Sequence, residues 1–114
     1  MEIEIDLHGY HPDDIDLTTI VRQAWERGAS SLRLIHGHGR WRGRSPGFVN
    51  TNTGFFGLRI RFQLRHDEDL RQWTKHTTLD CSHNGSTAIK LKPNPNPTRT
   101  CWGEDVLPER KYHW

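Results

Sequence analysis

The sequence predicts an α/β fold in one small domain. Three observations predict it: a strictly alternating segment at the N-terminus, an amphipathic helical stripe behind it, and a second strand-like segment at the spacing of a parallel crossover. At 114 residues the chain has room for one hydrophobic core. Hydrophobic residues are 32% of it and the mean hydropathy is -0.86, so the core is expected to be small, with an irregular polar remainder.

Residues 2 to 8, EIEIDLH, place Ile3, Ile5 and Leu7 on one face and Glu2, Glu4, Asp6 and His8 on the other, the mark of a strand with one buried side. Gly9 breaks it. Pro12 followed by Asp13 and Asp14 opens a helix, because proline is tolerated in the first turn and acids favour the positive end of the helix dipole. Leu17, Ile20, Val21, Ala24 and Trp25 recur on one helical stripe, with Trp25 expected in the core, and Gly28 is placed to stop the helix, which is expected from about Pro12 to Arg27. Residues 31 to 36, SLRLIH, read as a second strand, parallel to the first.

From Gly37 to Gly54 the chain is rich in Gly, Arg, Ser, Asn and Thr without an apolar period, and is expected to be a long loop of the functional kind. LRIRFQLR, residues 58 to 65, alternates as a strand does, although Phe55, Leu58 and Phe62, with Ile60 and Leu64 on an adjacent row, also fit a helix. Periodicity alone favours the strand. Two short strands are expected at about 76 to 81 and 87 to 92, joined by the turn His83-Asn84-Gly85-Ser86 as a terminal hairpin. The domain is expected to span residues 1 to 93. The following residues, 94 to 114, continue a proline-rich spacer into a polar tail, expected to be dispensable for folding.

The formal charge of +2 does not announce a nucleic-acid binder, but its distribution is uneven. Between Ile20 and His66 nine arginines face a single acid, Glu26, and arginine's planar fork suits phosphates and base edges. The same segregation also describes a solvated basic face. Cys81 and Cys101 form no CxxC pair and read as free thiols of a reducing compartment. The acidic, alternating start fits no signal peptide, and no apolar run approaches the roughly 18 residues of a membrane span. A cytoplasmic protein without a membrane partner is expected.

The chemistry-bearing elements are Asp6-Leu7-His8-Gly9 and His36-Gly37-His38-Gly39, at the ends of the two parallel strands. Ligands of open α/β sheets bind beyond the carboxyl ends of such strands, so both elements are expected to face one crevice. Simple parity puts His36 on the face of Leu32 and Leu34, opposite to His8, unless the turn at Gly37 re-aims it. Cleaving a phosphodiester needs a base for the nucleophile, an acid for the leaving oxygen and positive charge on the phosphate. His8 and His36 are the candidate proton carriers, while Asp6 fixes a tautomer or holds a cation. Gly37 and Gly39 let backbone N–H groups approach an anion, and Arg40, Arg42 and Arg44 surround it with charge. Trp41 is placed to stack on an unpaired base. Structural zinc is disfavoured, because His36 and His38 lack further ligands at a familiar spacing.

Taken together, Ile5-Asp6-Leu7-His8-Gly9, the amphipathic helix, His36-Gly37-His38-Gly39, the basic loop and the closing GSTAIKLK resemble the Smr (small MutS-related) family over about residues 3 to 93. The first motif departs only in its leading Ile, and His38 takes the variable position of the second. The resemblance implies a two-layer sandwich, a four-stranded mixed sheet with two helices in βαβαββ order, similar to the C-terminal domain of translation initiation factor three. It also implies a helix where LRIRFQLR alternates, opened by Phe56-Gly57-Leu58-Arg59. Family members nick DNA or cleave RNA.

These readings lead to an expected endonuclease on DNA or RNA, with Asp6, His8 and His36 at the reacting phosphate. Gly37, His38, Gly39, Arg40, Trp41, Arg42, Arg44 and Lys90 are expected to hold the nucleic acid. The cofactor considered is a divalent cation, magnesium or manganese, with no organic cofactor, and a monomer is favoured. The competing expectation is a nucleic-acid-binding module without catalysis.

Overall fold

The computed structural model describes residues 1–37, 54–98 and 107. The N-terminal alternation becomes strand β1 (Glu2–Asp6), with Ile3 and Ile5 buried and Glu2, Glu4 and Asp6 exposed. A single 3-10 turn at Pro12–Asp14 follows, and α1 (Leu17–Glu26) starts only after it. The helix expected from Pro12 to Arg27 is thus split. Asp16 makes the break: its backbone is extended, and its carboxylate accepts from the Thr19 N–H at 3.3 Å and the Thr19 hydroxyl at 2.7 Å. An N-cap of this kind satisfies donors that the first turn leaves open, so the helix begins where the cap is. Leu17, Ile20, Val21 and Ala24 face inward, whereas Trp25 is only half-buried.

Strand β2 (Ser31–Ile35) runs parallel to β1, with Ile5 opposite Leu34 and Asp6 opposite Ile35. Helix α2 (Gly54–His66) comes next, then a 3-10 turn at Glu68–Gln72 that buries Leu70, then β3 (Thr74–Asp80) and β4 (Ser86–Leu91). The last two strands form the expected hairpin, and β4 also pairs antiparallel with β2, giving a mixed sheet in the order β1-β2-β4-β3. The β3–β4 register shifts between Lys75 and Asp80. There the Thr78 hydroxyl accepts from the Lys90 N–H at 3.0 Å, standing in for a ladder carbonyl.

Both helices lie against the same sheet face. Ile3, Ile5, Leu7, Leu32, Leu34, Ile89 and Leu91 from the sheet form one core with Leu17, Ile20, Val21 and Ala24 of α1 and Ile60 and Leu64 of α2. Fully burying a side chain of this size contributes about 1.5–3 kcal/mol. The core is small, so each contact matters.

Helix α2 explains why its sequence looks like a strand. Gly57, Ile60, Arg61 and Leu64 are buried, at spacings of three and four, while Phe55, Leu58 and Phe62 are exposed. Half of the apolar residues of the alternation therefore face outward, and an arginine faces inward. The row Phe55, Leu58, Phe62 is the outer face of the helix and not its packed face.

The stretch after β4 returns to the domain. The Lys92 N–H donates to the Trp73 carbonyl at 2.8 Å, Asn94 Nδ2 to the Trp25 carbonyl at 2.8 Å, and the Thr98 N–H to the Glu26 carbonyl at 3.0 Å. Leu107 packs against the core. Prolines remove backbone donors, and here an asparagine side chain and one threonine amide reach the carbonyls at the end of α1. Composition alone suggests a detached spacer here; Trp102, Trp114 and Cys101 lie outside the described residues.

Candidate active site at the sheet edge

Beyond Asp6 the chain leaves β1 through one further ladder bond, from the Leu7 N–H to the Ile35 carbonyl at 2.7 Å, and a tight turn closed by the Tyr10 N–H on the Leu7 carbonyl. Gly9 sits at φ 87, in the left-handed region that glycine enters without a Cβ clash. This turn points His8 back at Asp6. His8 Nδ1 lies 3.1 Å from Asp6 Oδ1 and 3.4 Å from Oδ2, and the His8 backbone N–H donates to Oδ1 at 3.0 Å. A carboxylate only accepts, so Nδ1 carries the proton and Nε2 carries the lone pair that a general base needs. Both side chains are substantially exposed, 39% for His8 and 49% for Asp6.

Next to this pair lies a shallow open depression of about 620 Å³, lined by Arg33, Ile35, Gly37, His83, Asn84, Gly85 and Ser86. Gly37, at φ 78, connects the two: a Cβ there would stand 3.7 Å from the Cβ of His8. Arg33 forms the floor, with Nη1 donating to Ser86 Oγ at 2.9 Å and Nε 3.6 Å from Glu2 Oε1. At the end of β3, Asp80 accepts from the Ser82 hydroxyl at 2.6 Å and the Ser82 N–H at 2.9 Å. The Ser82 bonds, side chain first, hold the Asp80 carboxyl below its ordinary value, with the nearby charges of His83 and Arg33 adding to the effect.

His36 is elsewhere. It is buried, with 4% exposure, on the face of Leu32 and Leu34 that parity assigns it. Its Nδ1 donates to the Gly37 carbonyl at 2.8 Å and its Nε2 meets Thr87 Oγ1 at 2.9 Å. Thr87 in turn accepts from Arg61 Nε at 2.8 Å, so its own hydroxyl proton is the one given to His36 Nε2. The left-handed Gly37 does not re-aim the ring toward His8. The structure brings Asp6 and His8 together and leaves His36 behind the sheet.

Other expected residues fare unequally. The Gly37 N–H donates to the Gly85 carbonyl at 3.0 Å, so this amide is spent on the β2–β4 connection and is not an anion donor. Lys90 is exposed on β4 beside Ser31, four residues from Ser86, or roughly 13 Å along the strand from the depression. The structure does not bring it to the site. His38, Gly39, Arg40, Trp41, Arg42 and Arg44 lie outside the described residues. Of the remaining arginines in the basic stretch, Arg61 is buried and donates to the His83 carbonyl at 2.6 Å and the Ser86 carbonyl at 3.1 Å, while Arg59 pairs with Asp13 at 2.6 Å. Part of the apparent basic face is structural.

Among the described residues there is no group of three His, Cys, Asp or Glu side chains that could hold a metal ion. Nor is any described helix long and apolar enough to cross a membrane.

Sequence reasoning missed Arg33, Thr87, Asp80 and His83. The turn holding His83 was legible, but its place beside the end of β2 follows only from the pairing of β2 with β4. No family model matches the chain, and neither a curated protein nor a solved structure matches it.

Proposed function

We propose that the chain is an Smr-type domain that cleaves phosphodiester bonds of DNA or RNA in the cytoplasm. The observation carrying this reading is the Asp6–His8 hydrogen bond of 3.1 Å at the carboxyl end of a parallel strand. Beside this pair lies a depression floored by Arg33. His8 accepts the proton of the attacking water, Asp6 orients the ring and stabilises the imidazolium, and Arg33 supplies positive charge near the phosphate. His36 supports this arrangement from the helix side, through Gly37 and Thr87. Arg40, Trp41, Arg42 and Arg44 provide affinity for the strand.

The test is a cleavage assay on matched single- and double-stranded DNA and RNA, with and without chelator. Asp6→Asn and His8→Ala are expected to lower the rate about 100-fold or more, with affinity changed far less. Activity lost with chelator and restored by magnesium or manganese would assign Asp6 to a cation instead. A second reading is a binding module without catalysis, favoured by the engagement of His36 with Thr87, which leaves one imidazole where two were expected. Tight binding by the wild-type chain without cleavage above the variants, on any of the four substrates, selects that reading.

A further inference from the structure

The depression has two rims, and sequence motifs mark only one of them. On the β1 side stand Asp6 and His8, at the end of β3 and in the β3–β4 turn stand Asp80 and His83, and Arg33 of β2 lies between. Resting on the cleavage reading, we infer that His83 is the second acid–base group of the site, the proton donor to the leaving oxygen.

Four observations carry this. His83 lines the depression and is exposed, whereas His36 is buried and engaged behind the sheet. The backbone of His83 is anchored, because Arg61 Nη2 donates to its carbonyl at 2.6 Å and to that of Ser86 at 3.1 Å. The same Arg61 binds Thr87, which binds His36, which holds the Gly37 carbonyl, so one buried chain of contacts braces both sides of the depression. Finally, the spacing suits a phosphodiester. The strands carrying the two rims, β1 and β4, are separated only by β2, and two interstrand steps are roughly 10 Å.

Charged groups around His83 are Asp80 on β3, Arg33 on β2 and Arg61 on α2, whose guanidinium binds the His83 carbonyl. In the step itself, His8 Nε2 takes a proton from water as the water oxygen bonds to phosphorus. The bond from phosphorus to the leaving sugar oxygen breaks, its electron pair goes to that oxygen, and the His83 imidazolium supplies the proton. His8 ends protonated and His83 neutral, and exchange with solvent restores both.

The experiment uses the full chain with His83→Ala and His83→Gln on two substrates, an ordinary oligonucleotide and one with a bridging 5′-phosphorothiolate, whose thiolate departs without protonation. On the ordinary linkage both variants should fall about 100-fold and lose the decline of rate at alkaline pH. On the phosphorothiolate they should stay within a few-fold of wild type, whereas His8→Ala should be impaired on both. Equal impairment of the His83 variants on the two linkages, or none on the ordinary one, overturns the inference and leaves the cleavage reading intact. A wild-type chain that cleaves neither linkage overturns both.

Discussion

His36 Nε2 lies 2.9 Å from Thr87 Oγ1, and this one contact ties the second sequence motif to the last strand of the sheet. The Thr87 hydroxyl receives Arg61 Nε on its other side at 2.8 Å, and Thr87 is fully buried. An exposed active-site histidine does not need such a partner; a buried bracing one does.

Thr87→Val keeps the shape of the side chain and removes the hydroxyl, leaving His36 and Arg61 each short of a buried partner. A loss of about 2 kcal/mol or more in urea-denaturation stability is expected. Thr87→Ser should recover most of it. Equal stability of the valine and serine variants would mean that the network contributes packing alone.

Asp16→Ala should cost about 1 kcal/mol at neutral pH, the usual worth of an N-cap. The hydrogen bond from the Thr19 hydroxyl holds the Asp16 carboxyl below its ordinary 3.8, burial opposing and the Thr19 and Thr18 backbone bonds assisting. A folded value below the unfolded one means that the contribution is complete above the unfolded value and disappears as pH falls through the folded one. The stability difference between wild type and variant should therefore be constant from pH 7 to about pH 5 and shrink below about pH 4. A difference independent of pH would assign the cost to helix propensity.

Gly28 adopts φ 86, and a Cβ there would stand 2.9 Å from Pro97 Cγ. Gly28→Ala should destabilise the full chain for both reasons, by about 1–2 kcal/mol from the left-handed backbone alone. In a chain ending at Lys92 only the backbone cost remains, so the same substitution should cost less. The truncation itself should lower the thermal midpoint by several degrees, because it removes the Asn94 and Thr98 bonds and the Leu107 packing. Equal costs of Gly28→Ala in the two chains would show that Pro97 does not lie against Gly28 in solution.

Replacing Arg40, Arg42 and Arg44 together by alanine should weaken nucleic-acid binding regardless of sequence. The slope of log affinity against log salt should flatten by about 0.7–0.9 for each phosphate that the variant no longer neutralises. An unchanged slope would return these arginines to a solvated basic surface.

The sequence by itself determined what depends on short-range periodicity. Ile3 and Ile5 alternate with Glu2, Glu4 and Asp6, so β1 has one wet face; Leu17, Ile20, Val21 and Ala24 share a stripe, so α1 has a packed side. The nearness of Asp6 and His8 was legible from their spacing, but it is the turn after β1 that points His8 back at the carboxylate. Parity placed His36 on the opposite face, as the structure does, although it was expected at the phosphate beside His8.

Tertiary structure decided the rest, for reasons that local patterns do not encode. LRIRFQLR alternates, yet its helix buries Ile60, Leu64 and Arg61 because the β3–β4 turn and the start of β4 offer carbonyls and a hydroxyl that an inward guanidinium can satisfy, and no pattern in α2 announces them. His83 becomes a neighbour of Gly37 only because β4 inserts between β2 and β3, a choice made by strand pairing across some fifty residues of chain. Asn94 and Thr98 return to α1 because helix-end carbonyls need donors, whichever part of the chain supplies them.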